Sequence, residues 1–415
     1  ELLWKIIMKL SDFKHAIARF FGKCKREDTM PNIQDYVIWR GDLPLDRVPL
    51  CDVDALLLSY LSYMPYDNIV GDAFDGGISL RDAAQKLLEV NEREKTPLAY
   101  NVKEDRKLLA ALMESARFGD IRLVGYTNRV DTKLEEQFSA VTYLLGEGHA
   151  FVAFRGTDNT VVGWKEDFNM GFLPIVPSQR EAADYLRAVA AAFPSQKLRA
   201  GGHSKGGNLA VYAAVWCGES VQDQLLAVYN NDGPGFHTSL LDRPEHQRIA
   251  NRIQTILPES SVVGMLLEHE ESYQVVRSNQ VGLMQHDGFS WQVLGTQFVH
   301  LSGLTEGGRI VDSALRDFVR GLDQEQRIRF VDALFEVLTC TNAETLTDLK
   351  DGGFRTAYSM LKTVRSLDPD TRQALSGTLG LLVRSGAKSV SQSQPIQRLK
   401  NWRLVDWISK KLAHG

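Results

Sequence analysis

The rhythm of apolar and polar positions changes three times along this chain. In residues 1–29, Leu3, Ile6, Ile7, Leu10, Phe13, Ile17, Phe20 and Phe21 recur at helical spacing, with basic residues between them. Residues 30–50 lose that period. They hold four prolines and glycines between them and predict an extended segment leading into the domain. Helical spacing returns over Val53–Tyr63, over Leu80–Val90 behind a capping Ser79, and over Asp105–Ala116; Phe74–Ile78 reads as a turn. The period then shortens. Ile121–Thr127, Phe138–Leu145 and His149–Phe154 alternate or run apolar between turn residues, which predicts a meander of strands. After it, helix and strand signals alternate: a helix over Ser178–Phe193, strands over Leu225–Asn231, Arg252–Leu257 and Tyr273–Ser278, and a helix near Ser239–Ile249. Such alternation predicts a mostly parallel sheet covered on both faces. From about Gly307 the strand signals vanish. Arg309–Gly321, Gln324–Leu338, Gly353–Ser366, Asp370–Arg384 and Asn401–Leu412 all have helical spacing. The pattern therefore predicts three parts: a basic amphipathic extension over 1–29, an α/β domain over 30–306, and a helical region over 307–415.

The α/β part is organised around Lys197–Trp216, KLRAGGHSKGGNLAVYAAVW. A short run of small residues leads into Gly202-His203-Ser204-Lys205-Gly206, and an Ala- and Leu-rich helical pattern follows. Gly-x-Ser-x-Gly between strand and helix is the setting of a nucleophile elbow. A serine on so sharp a turn leaves no room for side chains two residues to either side. The helix behind it aims N–H groups and a positive dipole end at developing negative charge.

Composition narrows the function classes. The chain has 415 residues, 44% hydrophobic and 24% charged, as soluble globular proteins do. Its net charge of −4 gives no whole-chain attraction to nucleic acid. The four cysteines, Cys24, Cys51, Cys217 and Cys340, have no metal or redox spacing and read as reduced thiols of a cytoplasmic protein. No apolar run reaches membrane-spanning length. Residues 1–29 carry seven Lys and Arg against four Asp and Glu. Peripheral membrane contact through this segment, or through the amphipathic C-terminal helix with Trp402 and Trp407, stands beside simple packing on the protein. The glycine-rich run lacks the Gly-Lys-Ser/Thr order of a phosphate loop, there is no HExxH, and Glu268–Glu271 reads as a charged helix end or loop. The chemistry needs no metal and no organic cofactor.

A serine nucleophile needs a base, an acid behind the base and donors for an oxyanion. The N–H of Lys205 is one donor. Phe154-Arg155-Gly156-Thr157-Asp158 ends a predicted strand 47 residues before Ser204 and offers Thr157 as the second. For the base, a histidine on a late loop is required. His286, in Gln285-His286-Asp287-Gly288 and 82 residues past Ser204, fits best, with His300 next. His203 reads as structural, and His237, His246 and His269 as solvated. Asp232, ending the strand Leu225–Asn231 before Gly233-Pro234-Gly235, is the first candidate acid, and Glu259, after the following strand, the second. A Ser204–Lys205 dyad is disfavoured, because adjacent residues on an elbow diverge.

AFRGTD, then Trp164, then GGHSKGGNLA resembles the class 3, fungal-type lipases. The fuller set NIQDYVIWRGDL, AFRGTD, GHSKGGNLA, NNDGPGF and QHDGFSW is similar to a bacterial branch of lipase-like α/β-hydrolases catalogued as a domain of unknown function. The resemblance covers roughly residues 30–300. It implies an α/β-hydrolase fold, with Ser204 as nucleophile and Thr157 in oxyanion stabilisation. In that family the acid stands near Glu259, where an ungapped alignment lands on Ser260. The chain departs from the fungal lipases in carrying Lys205 where they usually have leucine, and in the short segment after Thr157.

The expectation is a serine hydrolase of carboxylic esters, acting on lipid or phospholipid acyl esters through an acyl-enzyme. Two alternatives stand beside it: a non-catalytic scaffold on the hydrolase fold that binds a partner, and a thioesterase or peptidase using the same residues.

Overall fold

The computed structural model describes residues 30–305, apart from 95–97, 100–101, 159, 171–172, 174, 237–240, 262, 266–271 and 281. The extension over 1–29, the helical region over 307–415, His237 and His269 lie outside the described residues. In chain order the elements are α1 (Ile33–Arg40), α2 (Asp52–Leu61), β1 (Ile78–Ser79), α3 (Leu80–Glu94), α4 (Val102–Glu114), β2 (Arg122–Asp131), β3 (Glu136–Gly146), β4 (His149–Phe154), α5 (Val161–Met170), α6 (Pro177–Ala192), β5 (Lys197–His203), α7 (Lys205–Trp216), β6 (Leu225–Asn231), β7 (Ile253–Pro258), β8 (Tyr273–Val276), β9 (Val293–Leu294), β10 (Gln297–Phe298) and β11 (His300–Leu301).

The chain divides into two compact units. One comprises Arg26–Asp158 and Ile175–Leu304. The other comprises Glu1–Lys25, Asn159–Pro174 and Thr305–Gly415, and the described helix in it is α5. Asn159–Pro174 thus groups apart from the sequence on either side of it, which the hydrophobic pattern did not signal.

The larger unit is a mixed α/β structure on a nine-stranded sheet, ordered β1-β2-β3-β4-β5-β6-β7-β8-β11. The central strands β4 to β8 pair in parallel. β1 to β4 form the antiparallel meander, and β11 closes the other edge antiparallel to β8. Because side chains alternate along a strand, each strand supplies both faces. Phe151 of β4 stacks on Tyr229 of β6 at 6.0 Å, and Gly201 between them leaves room for Ser59 of α2. Phe154 and Phe138 turn the other way and meet the Tyr185 ring of α6 at 6.1 and 6.3 Å, while Thr142 Oγ1 lies 3.0 Å from Tyr185 Oη. The result is a three-layered core with helices on both sides, as the alternating pattern predicts.

Residues 30–50 are not extended throughout. Asn32 caps α1: its Oδ1 accepts from the N–H of Gln34 at 2.8 Å, and Asp35 Oδ2 accepts from the N–H of Asn32 at 3.0 Å. This capping box outweighs the flanking prolines. The rest of the segment is pinned by Arg117, whose Nη1 donates to the carbonyls of Leu43 (3.1 Å) and Val48 (2.9 Å) and whose Nη2 donates to that of Pro49 (3.2 Å). Arg117 and its partner Asp54 form an ion pair with both side chains fully buried, and Tyr36 Oη donates to the same carboxylate at 2.8 Å. The helix predicted near Ser239–Ile249 is, among the described residues, helical at Leu241 and again over Pro244–Gln247, with a break at Asp242 and Arg243. Pro244 cannot sit inside a longer helix. His246 in that turn is fully buried, not solvated.

Candidate active site

The residues singled out for chemistry collect at the carboxyl ends of adjacent strands. Thr157 follows β4, Ser204 follows β5, Asp232 follows β6, Glu259 follows β7, and His286 comes after β8. Parallel strands with helical returns bring all their carboxyl ends to one edge, and that edge is where open α/β sheets carry ligands.

Ser204 sits between β5 and α7 with φ 58° and ψ −133°, a left-handed backbone that few side chains adopt. Strain of this kind costs about 1–3 kcal/mol and is held by its surroundings. Here the N–H of Ser204 donates to Asn231 O at 3.0 Å, and that of Gly207 to Ser204 O at 2.9 Å. The flanking glycines are required by contact. A Cβ on Gly206 would overlap Phe154 O, and one on Gly156 would overlap Tyr63 Oη. The turn after β4 and the elbow after β5 therefore touch backbone to backbone, Gly156 against His203 O and Gly206 against Phe154 O.

Lys205 starts α7, where the helix itself offers no carbonyl to its N–H. Its side chain is buried and turned away. Nζ donates to Gln137 O at 2.8 Å and to Gln137 Oε1 at 2.9 Å, strapping the elbow to β3. The loop with Thr157 has its own anchor. Arg155 Nη2 donates to Asn128 Oδ1 at 3.0 Å and to Asp158 Oδ2 at 3.2 Å.

Of the two candidate acids, Asp232 is the one on the histidine. Its Oδ2 lies 2.7 Å from His286 Nδ1, and its Oδ1 accepts from Ser261 Oγ and from the N–H of Gly264 at 3.2 Å. Asp232 is wholly buried, while the His286 side chain keeps 27% of its surface exposed. A carboxylate only accepts, so Nδ1 carries a proton and Nε2 is the ring nitrogen not committed to the acid. Asp232 has φ 52° and is held by its neighbours: Asn230 Oδ1 accepts from the N–H of Gly233 at 3.0 Å, and Asn208 Nδ2 donates to Pro234 O (3.1 Å) and Gly235 O (3.0 Å). Glu259, the alternative, is half-buried at the end of β7, with its N–H on Val276 O at 3.0 Å. Two residues on, Ser261 supports the acid of the neighbouring strand. The carboxylate has thus moved one strand back from where the lipase resemblance puts it. His300, the other candidate base, is exposed on β11, near enough to Asp52 to act on that carboxyl.

His203, read as structural, is buried with Nε2 2.7 Å from His286 O and Nδ1 3.3 Å from Tyr63 Oη. Burial first, and the neighbouring His286 second, push its pKa down to about 3. It is a neutral imidazole. Sequence reasoning did not single out Arg155, Ser261 or Tyr63; the only signal was the serine pair at 260–261, close to where the family's acid was expected.

A family model named Mbeg1-like, of the fungal-type lipase kind, matches residues 112–336, more than half of the chain. The chain belongs to the Mbeg1-like family. Thr157, Ser204, Asp232, Glu259 and His286 all fall within the matched residues. No curated protein matches the sequence. Among solved structures, this Mbeg1-like chain is similar to the Rhizomucor miehei lipase in its propeptide complex, at 14% identity and a TM-score of 0.30, covering 48% of this chain and 66% of that one. The Lip2 lipase of Yarrowia lipolytica shows 11% identity and a TM-score of 0.30, covering 48% and 85%. A mutant form of MDLA from Penicillium cyclopium shows 13% identity and a TM-score of 0.31, covering 58% and 82%. Among the described residues, no helix is long and apolar enough to cross a membrane.

Proposed function

We propose that this Mbeg1-like chain is a serine hydrolase of carboxylic esters, with lipid or phospholipid acyl esters as its substrates. The observation that carries this reading is the 2.7 Å contact between the wholly buried Asp232 and a half-exposed His286, with Asp232 leaving the turn beside a left-handed serine. Ser204 Oγ attacks the ester carbonyl and gives its proton to His286 Nε2. The N–H groups of Lys205 and Thr157 hold the oxyanion. The carbonyl re-forms, the alcohol leaves with the proton from His286, and the acyl group stays on Ser204. Water, deprotonated by the same nitrogen, then attacks the acyl-enzyme; the acid departs and Ser204 recovers its proton. Asp232 keeps Nδ1 protonated and stabilises the imidazolium. The lipid preference rests on the family and on apolar Met284, 60% exposed two residues before His286.

A fluorophosphonate probe tests the reading. It should label the wild-type protein and fail on Ser204→Ala and His286→Ala. A folded wild-type protein that takes no label, and cleaves no ester in a panel of acyl glycerols and phospholipids, would leave a non-catalytic scaffold in its place.

A further inference from the structure

We propose that His203 is the positioning residue that sets His286 against Ser204, by donating Nε2–H to the main-chain oxygen of His286; this rests on the hydrolase reading above. The 2.7 Å contact joins a ring nitrogen to a carbonyl, which only accepts. Nε2 therefore carries the proton, and in the neutral ring Nδ1 is an acceptor. Tyr63 Oη donates to His203 O at 3.2 Å and stands 3.3 Å from that Nδ1, so it holds the backbone that carries the ring. His203 precedes Ser204 directly. One hydrogen bond thus ties the backbone of the base loop to the nucleophile's own chain neighbour, and the two rings pack with centroids 4.6 Å apart.

The grip extends to both sides of His286. Trp291 Nε1 donates to Gln285 O at 2.8 Å, and Tyr60 Oη donates to Asp287 Oδ1 at 3.0 Å. Tyr60 also meets the Phe289 ring edge-on at 4.3 Å. Three consecutive residues of the loop are held by donors from three places: the loop itself, β5 and α2. Of these three donors, His203 is the one that belongs to the elbow. Charge explains why the ring must stay neutral. A protonated His203 would face the imidazolium that forms on His286 during turnover; among the described residues Asp232 holds the far side of His286, Tyr60 and Tyr63 pack around His203, and Asp287 lies beyond on the Tyr60 hydroxyl. Burial against the two tyrosines disfavours that charge.

The test compares His203→Leu, which removes the donor, with His203→Gln, which keeps an N–H near the position of Nε2. On a soluble p-nitrophenyl ester, with turnover counted per fluorophosphonate-titrated site, His203→Leu should lower kcat about 100-fold while KM changes less than about twofold. His203→Gln should recover to within about tenfold of wild type, and Tyr63→Phe should lose about fivefold. A second readout needs no turnover. In 15N-histidine-labelled Ser204→Ala protein, the His286 Nδ1–H resonance should be sharp and downfield, and His203→Leu should shift or broaden it. A residue that only supported the fold would lower stability without changing kcat per titrated site or this resonance, and that result would overturn the proposal. If His203→Leu does not fold, Tyr63→Phe carries the comparison, and wild-type kcat with an unmoved His286 resonance in that variant would overturn it equally. Failure of the wild type to label would remove the hydrolase reading, while the resonance would still report whether His203 holds His286.

Discussion

Two wholly buried aspartates make the most instructive comparison in this molecule. Asp54 meets Arg117, whose side chain is equally buried and whose remaining donors end on the carbonyls of Leu43, Val48 and Pro49. Asp232 meets His286, which keeps part of its ring exposed. The first pair is closed: a guanidinium holds its proton at any ordinary pH, and nothing in the cluster can change state. The second is open at one end, because only one ring nitrogen of His286 is committed to the acid and the ring reaches the surface. The same carboxylate is sealed in as a clasp or joined to the surface, according to what its partner is and whether that partner reaches solvent.

That contrast can be broken experimentally. The largest effect is expected on catalysis at the open pair. Asp232→Asn should cut kcat by about ten-thousand-fold, since an amide no longer enforces the Nδ1–H tautomer, with little loss of folded protein by circular dichroism. At the closed pair the effect should fall on stability instead. Asp54→Asn or Arg117→Met leaves a buried charge without its counterpart and should cost about 3–5 kcal/mol in urea unfolding, while activity per titrated site survives. Replacing both, Asp54→Leu with Arg117→Met, should lose less than either alone. Ser261→Ala removes one donor from Asp232 and should lower kcat about tenfold with unchanged KM. A last effect concerns acid stability. His203 has a folded pKa of about 3, below the ordinary value of 6.5, so the unfolded chain binds the extra proton between those values. Stability is therefore untouched above pH 6.5 and falls as the pH drops through that window, by at most about 1.4 kcal/mol per pH unit from this group. His203→Gln should show a shallower fall in parallel unfolding curves.

The elements that depend on near neighbours were largely legible. The strands Leu225–Asn231 and Ile253–Pro258, the capped helix behind Ser79 and the elbow at Ser204 all follow from local period and turn chemistry. The misreadings share a cause. Prolines over 30–50 hid a capping box four residues long, and Pro244 broke a helix whose apolar spacing looked continuous. The grouping of Asn159–Pro174 apart from its flanks left no trace in the hydrophobic pattern, because it depends on residues far away in the chain.

The candidate site divides in the same way. Ser204 was marked by its own neighbours, since a left-handed serine demands small residues beside it, and that demand is written within five positions. Asp232 and Glu259 each end a strand, and nothing local separates them. The choice is made where β6 and β7 lie side by side, so that Ser261 and Gly264 reach across to one carboxylate and His286 arrives from a loop 54 residues further on. Sequence alone determines what a short stretch of backbone must do, because sterics and periodicity act over a few residues. Which buried charge faces a ring that can titrate is decided only once the strands have been laid next to one another, because desolvation and hydrogen-bond reach depend on distance through space.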